Sequence, residues 1–416
     1  MIKAVKGTKD LLPEDLFKWH FVEEKFRKVT RSYGYNELRT PIFENTGVFS
    51  RSIGEESDIV NKEMYTFKDK GDESITLRPE MTAALVRACV EHNLTREHSL
   101  LRLWYFGPFF RYERPQKGRQ RQFHQFGVEC LGSSLASADA EVIMLADRLI
   151  KSLGVTQYKL LLNTLGTDET RAKYKKALIE YLDSVKEHLS EDSKRRMLTN
   201  PLRVLDSKEK NDIIAVAKAP IILDYLDSES KEHFENVKQI LDKFGINYEV
   251  NPFIVRGLDY YNHTIFEFRS DSLGSQDSFG GGGRYDKLFE QIGGSATPAV
   301  GFAMGVERLL IMLEALNPDE MKSYDTDIYV ITYAETEYIY GLEVAETLRT
   351  KGYSVLNDAK QRKFKTQFKE ADKYKVRYAV IIGEEEMANR TVTIKNMATG
   401  EQNKISLDDL TNYKFS

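Results

Sequence analysis

Cysteine is scarce in this chain of 416 residues, which contains only Cys89 and Cys130. Because the two are far apart and not in a CxxC pair, the sequence predicts neither a disulfide framework nor a zinc site. No stretch approaches the roughly 18 consecutive apolar residues of a membrane-spanning helix. The amino-terminal segment MIKAVKGTKDLLPED also lacks the apolar core of a signal peptide. These absences favour a protein of the reducing cytoplasm with no membrane contact.

The chain also has no excess of basic residues, because it contains 60 Lys and Arg and 64 Asp and Glu. This balance argues against a histone-like binder of nucleic acid, but it leaves a tRNA partner open. Basic charge is concentrated in residues 360–377, which carry eight Lys or Arg against Glu370 and Asp372. This basic strip is equally consistent with a solvated helix face and with a surface that contacts phosphates.

The length of the chain and its 41% hydrophobic content are sufficient for two or three domains with a large core. Apolar periodicity predicts a first helix from Pro13 that ends at Gly34. Further helices are predicted at 77–91 and 141–153, and strands at 35–42, 103–105, 109–112, 123–131, 248–255 and 264–269. Between these blocks, residues 166–230 are highly charged and helical in period.

Residues 317–326 are polar and aperiodic, which predicts a linker. After it the pattern predicts a strand at 328–332, a helix at 337–351, a strand at 353–356, a helix at 364–373 and a strand at 378–382. This βαβα order predicts a small α/β domain with a mainly parallel sheet.

The segment 102–132 is unusual because polar side chains occupy positions in its two predicted strands. Arg111 and Glu113 leave the first strand on one face, and Gln125 and Glu129 share a face of the second. Polar groups on a sheet face are costly unless a ligand or partner satisfies them. The loop 114–122 adds four cations and no acidic residue. An ordinary hairpin with a soluble basic loop explains the loop, but it does not explain the strands. A nucleotide bound against the sheet explains both.

Four other segments place charged or aromatic residues close together, and three of them also contain glycine. Residues 78–82 (RPEMT) open a helix, where Glu80 and Thr82 could simply cap the first turn. Residues 255–262 (VRGLDYYN) and 279–286 (FGGGGRYD) place glycines, which permit close backbone approach, beside arginine and tyrosine. Residues 299–308 (AVGFAMGVER) read as a strand that runs into a helix at Arg308. Each segment taken alone has an ordinary structural explanation.

Together and in this order, the segments resemble the motifs of one family. FRYERPQKGRQRQFHQFGVE (110–129) resembles motif 2 of class II aminoacyl-tRNA synthetases in the form found in histidyl-tRNA synthetases. The helix and strand that end near Pro41 resemble motif 1, the dimer-forming element, and residues 299–308 resemble motif 3. VRGLDYY and GGGGRYD match the two histidine-specific motifs. The resemblance covers essentially the full length of the chain.

The resemblance implies an ATP-dependent ligase that forms histidyl-adenylate and transfers histidine to the 3′ end of tRNA(His). It implies that Arg111 and Arg256 are catalytic, and that ATP, with Mg²⁺, is bound by Arg111, Glu113, Phe123 and Arg308. The residues implied to bind histidine are Glu80, Thr82, Gln125, Glu129, Arg256, Tyr260, Tyr261 and Tyr285. Arg114 and Gln116 are implied to contact tRNA. No protein metal ligand is assigned.

The implied fold is α/β, with an α+β catalytic domain over residues 1–322. That domain contains an antiparallel sheet flanked by helices and a helical insertion at about 166–230. An α/β anticodon-binding domain follows at 326–416. The resemblance also implies a cytoplasmic homodimer. Two alternatives remain: a synthetase-like regulatory subunit of ATP phosphoribosyltransferase, and a class II synthetase for another amino acid such as threonine or proline.

Overall fold

The computed structural model describes residues 1–54, 57, 59–316 and 326–415. The chain divides into two compact units, Met1–Met321 and Lys322–Ser416. The predicted linker at 317–326 lies outside the described residues except for Thr326. None of the helices in the described part of the chain is long and apolar enough to span a membrane.

The first unit contains helices on both faces of a large sheet. Its described α-helices are α1 (Pro13–Ser32), α2 (Thr46–Ile53), α3 (Thr82–Glu91), α4 (Leu94–Glu97), α5 (Ala136–Ser152), α6 (Asp168–Ser184), α7 (Glu191–Thr199), α8 (Lys210–Val216), α9 (Ser228–Lys243), α10 (Leu288–Gln291) and α11 (Val306–Leu316). Its described strands are β1 (Asn36–Glu37), β2 (Phe43–Asn45), β3 (Tyr65–Lys68), β4 (Ser74–Leu77), β5 (Leu101–Phe110), β6 (Gln122–Leu131), β7 (Lys159–Thr164), β8 (Glu249–Val250), β9 (Asn262–Arg269), β10 (Ser278–Arg284) and β11 (Ala299–Gly305).

The large sheet has the strand order β1-β5-β6-β11-β10-β9-β7-β8. Every neighbouring pair from β5 to β7 in this order is antiparallel. At the two edges of the sheet, β1 is parallel to β5 and β8 is parallel to β7. A separate three-stranded sheet has the order β2-β4-β3. The predicted antiparallel sheet flanked by helices is therefore confirmed.

One face of the large sheet is covered by α1, α5, α9 and α11. Their buried side chains, such as Phe26, Ile143 and Leu309, form one core with Phe126 and Phe266 of the sheet. Because side chains alternate along a strand, the neighbours of Phe126 point to the opposite face. That opposite face carries Gln125 and Glu129, and the cavity described below opens there.

Several predicted elements differ in extent from the observed ones. The predicted strand at 35–42 forms only β1, and the strand at 248–255 forms only β8. Pro79 was expected in the first turn of a helix, but α3 begins at Thr82, after the proline. Within 166–230 the chain forms α6, α7, α8 and the start of α9, joined by short 3-10 turns.

The second unit is a five-stranded sheet with helices. Its elements are β12 (Ile328–Thr332), α12 (Tyr338–Arg349), β13 (Val355–Asn357), α13 (Phe364–Lys373), β14 (Tyr378–Ile382), α14 (Glu384–Ala388), β15 (Thr391–Asn396), β16 (Gln402–Ser406) and α15 (Leu407–Leu410). In the order β13-β12-β14-β15-β16, the first three strands are parallel and the last two add antiparallel pairs. The α/β class is confirmed, and the three predicted strands are parallel to one another as expected. The hairpin β15–β16, which was not predicted, adds two antiparallel pairs at one edge of the sheet.

Candidate active site

A cavity of 780 Å³ lies on the face of the large sheet opposite α1 and α5. Twelve of the predicted site residues line it: Glu80, Thr82, Arg111, Glu113, Phe123, Gln125, Glu129, Arg256, Tyr260, Tyr261, Tyr285 and Arg308. Arg114 and Gln116 do not line it. They are exposed in the loop between β5 and β6, where Gln116 forms a bridge with Arg119.

Glu129 lies at the closed end of the cavity with only 1% of its surface exposed. Thr82 Oγ1 donates to Glu129 Oε1 at 2.8 Å, and Tyr285 Oη donates to Oε2 at 2.5 Å. Burial raises the pKa of Glu129 to about 8, although both hydroxyl donors oppose the shift. A Cβ at Gly301, on the neighbouring strand, would lie 1.7 Å from Glu129 Oε2. Position 301 must therefore be glycine, because the Glu129 carboxylate lies directly against this strand.

Glu80 and Thr82 lie at the start of α3, where backbone amides have no partner within the helix. The Glu80 carboxylate accepts from Thr82 N at 2.6 Å and from Ala83 N at 2.9 Å. Burial raises the pKa of Glu80, while these backbone donors lower it. Glu80 therefore caps the helix and lines the cavity at the same time.

Three buried tyrosines form an aromatic wall beside Glu129. The ring centroids of Tyr260 and Tyr261 are 4.7 Å apart, and those of Tyr260 and Tyr285 are 5.6 Å apart. Nearby, Gln125 Oε1 is buried and accepts no hydrogen bond from any residue in the described part of the chain. A buried acceptor without a partner is costly, so this end of the cavity is suited to a polar ligand that donates.

Arg111 and Phe123 are neighbours at one end of the β5–β6 hairpin: Arg111 directly follows β5, and Phe123 is the second residue of β6. The Arg111 guanidinium lies 5.2 Å from the centroid of the Phe123 ring and donates from Nε to Pro79 O at 3.0 Å. A guanidinium fixed by a backbone carbonyl and an aromatic ring is held in place before any ligand arrives.

Arg256 reaches the cavity from the segment before β9. Its Nη1 donates to Glu267 Oε2 at 2.8 Å, and Glu267 also pairs with Arg269. Burial alone would lower the pKa of Arg256, but Glu267 raises it. A Cβ at Gly281 would lie 2.8 Å from Arg256 Nη1, so the glycine strand β10 makes room for this side chain.

Arg308 lies in the first turn of α11 and is the third predicted arginine that lines the charged part of the cavity. Its Nε donates to Gly118 O at 3.1 Å, and its Nη1 donates to Ser278 O. Burial lowers the pKa of Arg308, and the neighbouring Arg119 lowers it further. Glu113, the remaining predicted member, forms an ion pair of 2.6 Å with Arg119.

Sequence reasoning missed several residues that line the cavity. Glu267 and Arg269 lie on β9 and Tyr105 on β5, and the loop residues Asp206 and Lys208 come from the helical segment 166–230. The alternation along β9 carried one available signal, because Glu267 stands between Phe266 and Phe268 on a strand that is otherwise apolar there. No local pattern indicated that residues 205–208 would come close to the sheet.

The cavity thus joins a buried polar pocket to a charged region on the same antiparallel sheet. The charged region contains five arginines: Arg111, Arg119, Arg256, Arg269 and Arg308. The arginines suit a ligand with several anionic oxygens. The polar pocket suits a small ligand that donates hydrogen bonds. This architecture is the one expected above for a class II aminoacyl-tRNA synthetase.

Comparisons with known proteins agree with that class. Residues 7–309 match the family model for histidyl-tRNA synthetase, and residues 327–413 match the anticodon binding domain. The chain is 49% identical over 410 residues to the histidine–tRNA ligase of Thermosipho melanesiensis, which covers 98% of this chain and 97% of the relative. It is 48% identical over 411 residues to the enzyme of Acaryochloris marina, with coverage of 99% and 95%.

Solved structures agree with the sequence relatives. The crystal structure of apo Staphylococcus aureus histidyl-tRNA synthetase superposes with a TM-score of 0.82 at 38% identity and covers 99% of each chain. A Bacillus halodurans structure described as an ATP phosphoribosyltransferase regulatory subunit/histidyl-tRNA synthetase has a TM-score of 0.68 at 21% identity, which indicates a shared fold. This chain belongs to the histidyl-tRNA synthetase family.

Proposed function

We propose that this chain activates L-histidine with ATP and transfers it to the 3′ end of tRNA(His), as a histidine–tRNA ligase. The observation that carries the proposal is the single cavity in which Glu129 and three tyrosines adjoin Arg111, Arg256 and Arg308. Membership of the family supports the same reaction, including the use of ATP.

In the activation step, the carboxylate of histidine attacks the α-phosphate of ATP and pyrophosphate leaves. Both reactants are anionic, so catalysis requires positioning and cationic stabilisation and no protein nucleophile. We assign Arg111 to the α-phosphate, Arg256 to the charge that develops in the transition state, and Arg308 to the γ-phosphate. Their supporting contacts to carbonyl oxygens and to Glu267 hold the guanidinium groups in place before the nucleotide binds.

The nucleotide enters as its Mg²⁺ complex, so the metal is part of the substrate. Mg²⁺ is commonly held by one or two carboxylates together with phosphate oxygens. Glu113 and Glu267 line the charged region and fit that requirement, although arginines already pair with both. Adenine stacks on Phe123, whose ring is oriented by Arg111.

Histidine occupies the closed end of the cavity. Glu129 accepts a hydrogen bond from one imidazole N–H, and Tyr261 contacts the other ring nitrogen, so both edges of the imidazole are read. Glu80, Thr82 and Gln125 bind the amino acid's ammonium and backbone, and the unpartnered Gln125 Oε1 supports this role. Tyr260, Tyr285 and Arg256 complete the pocket. A site built for hydrogen bonding rejects apolar analogues by large factors.

The tRNA contacts both units under this proposal. Arg114 and Gln116, exposed in the motif 2 loop, meet the acceptor end, and residues 326–416 form the anticodon-binding domain. The basic strip contributes to that surface through exposed Lys363, Lys365 and Lys369 on or beside α13. Arg362 and Arg377 are less suited, because Asp358 and Asp327 pair with them. Reversal of the three lysine charges that leaves KM for tRNA unchanged would contradict this role of the strip.

We further propose that residues 1–322 form the catalytic domain, with the helical insertion at about 166–230, and that the protein acts as a cytoplasmic homodimer. Apolar side chains support a dimer, since Ile42, Phe43 and Phe67 are 44%, 56% and 49% exposed near β2 and β3. Cys89 and Cys130 are buried free thiols, which suits a reducing compartment. Sedimentation equilibrium that finds only the monomer mass would contradict the dimer.

ATP–pyrophosphate exchange with each amino acid supplied singly tests the activity. We expect exchange with histidine alone. Arg256→Ala should lower it by about a thousandfold, because a charge aimed at the transition state is lost. Asn163→Ala, a buried substitution outside the cavity, serves as the control for general damage. Absence of exchange with every amino acid would favour the regulatory subunit instead, and exchange with another amino acid would reassign the specificity.

A further inference from the structure

Two residues of the histidine motifs, Asn262 and Asp286, do not line the cavity. Asn262 follows Tyr261 at the start of β9, and Asp286 follows Tyr285 just after β10. Each is therefore covalently adjacent to a tyrosine of the aromatic wall. Their side chains lie instead in a second, open pocket at the ends of these strands.

The two side chains form a reciprocal pair of hydrogen bonds. Asn262 Nδ2 donates to Asp286 Oδ2 at 2.9 Å, and the backbone amide of Asp286 donates to Asn262 Oδ1 at 3.0 Å. The other carboxylate oxygen, Asp286 Oδ1, accepts from Ala299 N at 3.0 Å. One carboxylate thus connects the ends of the three neighbouring strands β9, β10 and β11.

The backbone at this junction departs from a regular ladder. Gly283 pairs with Ile265, but the next residue, Arg284, pairs with Asn262, so β9 has extra residues there. One of them, His263, has a left-handed φ of 44°. A bulge of this kind changes the direction of the side chains around it. The reciprocal pair spans the bulge and holds it in one geometry.

Arg284 anchors the pair to the rest of the unit. With 1% of its surface exposed, it donates to Asp286 Oδ1 at 3.0 Å and also pairs with the fully buried Asp139 of α5. Asp139 in turn contacts His233 of α9 at 2.8 Å. Arg284 and Asp139 are buried and fully partnered, and they give the partly exposed pair a rigid support.

We propose that Asn262 and Asp286 are positioning residues that set the separation of Tyr261 and Tyr285, and thereby the fit of the pocket to histidine. The inference rests on the proposed histidine activation. Tyr285 donates to Glu129, so a shift of the strand ends moves the acceptor that reads the imidazole. A misplacement of about 1 Å can cost about a hundredfold in rate. Arg111 and Phe123 belong to other strands. Glu267 and Ser278, which hold Arg256 and Arg308, lie toward the opposite ends of β9 and β10. The nucleotide end therefore keeps its geometry.

Exchange of the two side chains tests the pair. Asn262→Asp places two carboxylates against each other, and Asp286→Asn leaves two amides to compete, so each single variant disrupts the hydrogen bond between the side chains. The bond from the backbone amide of residue 286 to the side-chain oxygen of residue 262 remains possible in both. The double variant restores the side-chain bond with donor and acceptor reversed. We expect each single variant to raise KM for histidine by about tenfold to a hundredfold, with KM for ATP changed less than about twofold. The double variant should recover to within about threefold of the wild type.

Asn262→Ala and Asn163→Ala give a second comparison if a charged variant does not fold. Both shorten an asparagine side chain on neighbouring strands, buried at Asn163 and half-buried at Asn262, but only the first breaks the pair. We expect a selective rise in KM for histidine in Asn262→Ala alone. Equal changes in both KM values, or a double variant no better than the singles, would overturn the inference. Failure of the wild type to exchange with histidine would instead overturn the proposed function.

Discussion

The two ends of the cavity are held in place by different interactions. At the closed end, Glu129 is buried and takes hydrogen bonds from two neutral hydroxyl groups, those of Thr82 and Tyr285. At the charged end, arginines are held by carbonyl oxygens and by carboxylates such as Glu267. The closed end is therefore desolvated and nearly neutral, whereas the other end is ionic and partly open.

Under the proposed function, the difference corresponds to the ligand that each end would bind. Discrimination between amino acids requires buried polar groups, because such groups are costly to leave unpaired when the wrong ligand binds. Binding of a triphosphate requires fixed cations that are available to solvent until the nucleotide arrives. Changes at the two ends should accordingly separate the two substrates in kinetic measurements.

Glu129→Gln is expected to give the largest difference between the effect on histidine and the effect on ATP. The amide keeps the size of the side chain but places an N–H group where Thr82 or Tyr285 now donates, so one donor is left facing another. We expect kcat/KM for histidine to fall by about a thousandfold, while KM for ATP changes less than about threefold. Steady-state exchange kinetics with each substrate varied in turn would measure both values.

Arg308→Ala is the matched change at the charged end. It removes a guanidinium that Gly118 O and Ser278 O hold in place, and no group of the closed end contacts it. We expect KM for ATP to rise by about tenfold to a hundredfold with KM for histidine nearly unchanged. If the kinetic parameters for histidine and for ATP changed equally in either variant, the two ends would not act independently.

A smaller effect is expected from pH. Because the pKa of Glu129 is raised to about 8, only about a tenth of the carboxyl is ionised at pH 7. We expect kcat/KM for histidine to rise about tenfold from pH 7 to 9, relative to Glu129→Gln, since the ionised form accepts the imidazole N–H. The profile for ATP should lack this step. A flat ratio across that range would contradict the assignment.

The same ionisation affects stability. The folded-state pKa of Glu129 lies above its usual 4.5, so the folded protein holds this proton more tightly than the unfolded chain does. The contribution of Glu129 to the free energy of unfolding therefore declines as pH rises from about 4.5 to about 8, and it is constant above that range.

Much of the large sheet was predictable because its strands alternate clearly. Phe126 and Val128 lie on the buried face while Gln125 and Glu129 point into the cavity, as residues two apart require. The hairpin β15–β16 was missed, and the bounds of β1 and β8 were too generous, because edge strands have few apolar positions to mark them.

The predicted site depended on motifs whose residues are adjacent in sequence. Contacts between distant segments were beyond reach: neither the approach of Asp206 to the cavity nor the hydrogen bond from Tyr285 to Glu129 follows from local spacing. For Glu80 the sequence offered a helix cap and a binding residue as alternative readings, and the fold shows that it caps the helix and lines the cavity at once. Sequence motifs identified the chemistry, and tertiary packing determines how each group is held.

The glycine strand β10 has a consequence for stability. Glycines 280–283 occupy the middle of the large sheet, and a Cβ at Gly282 would lie 1.9 Å from Gly301 O, so larger residues are barred. Each glycine in a strand costs about 0.5–1 kcal/mol relative to alanine because the unfolded chain is more flexible. Four in succession therefore cost about 2–4 kcal/mol, a sizeable fraction of the net stability of a typical domain. Stabilising substitutions should consequently be sought in the surrounding helices, because β10 has no space for larger side chains.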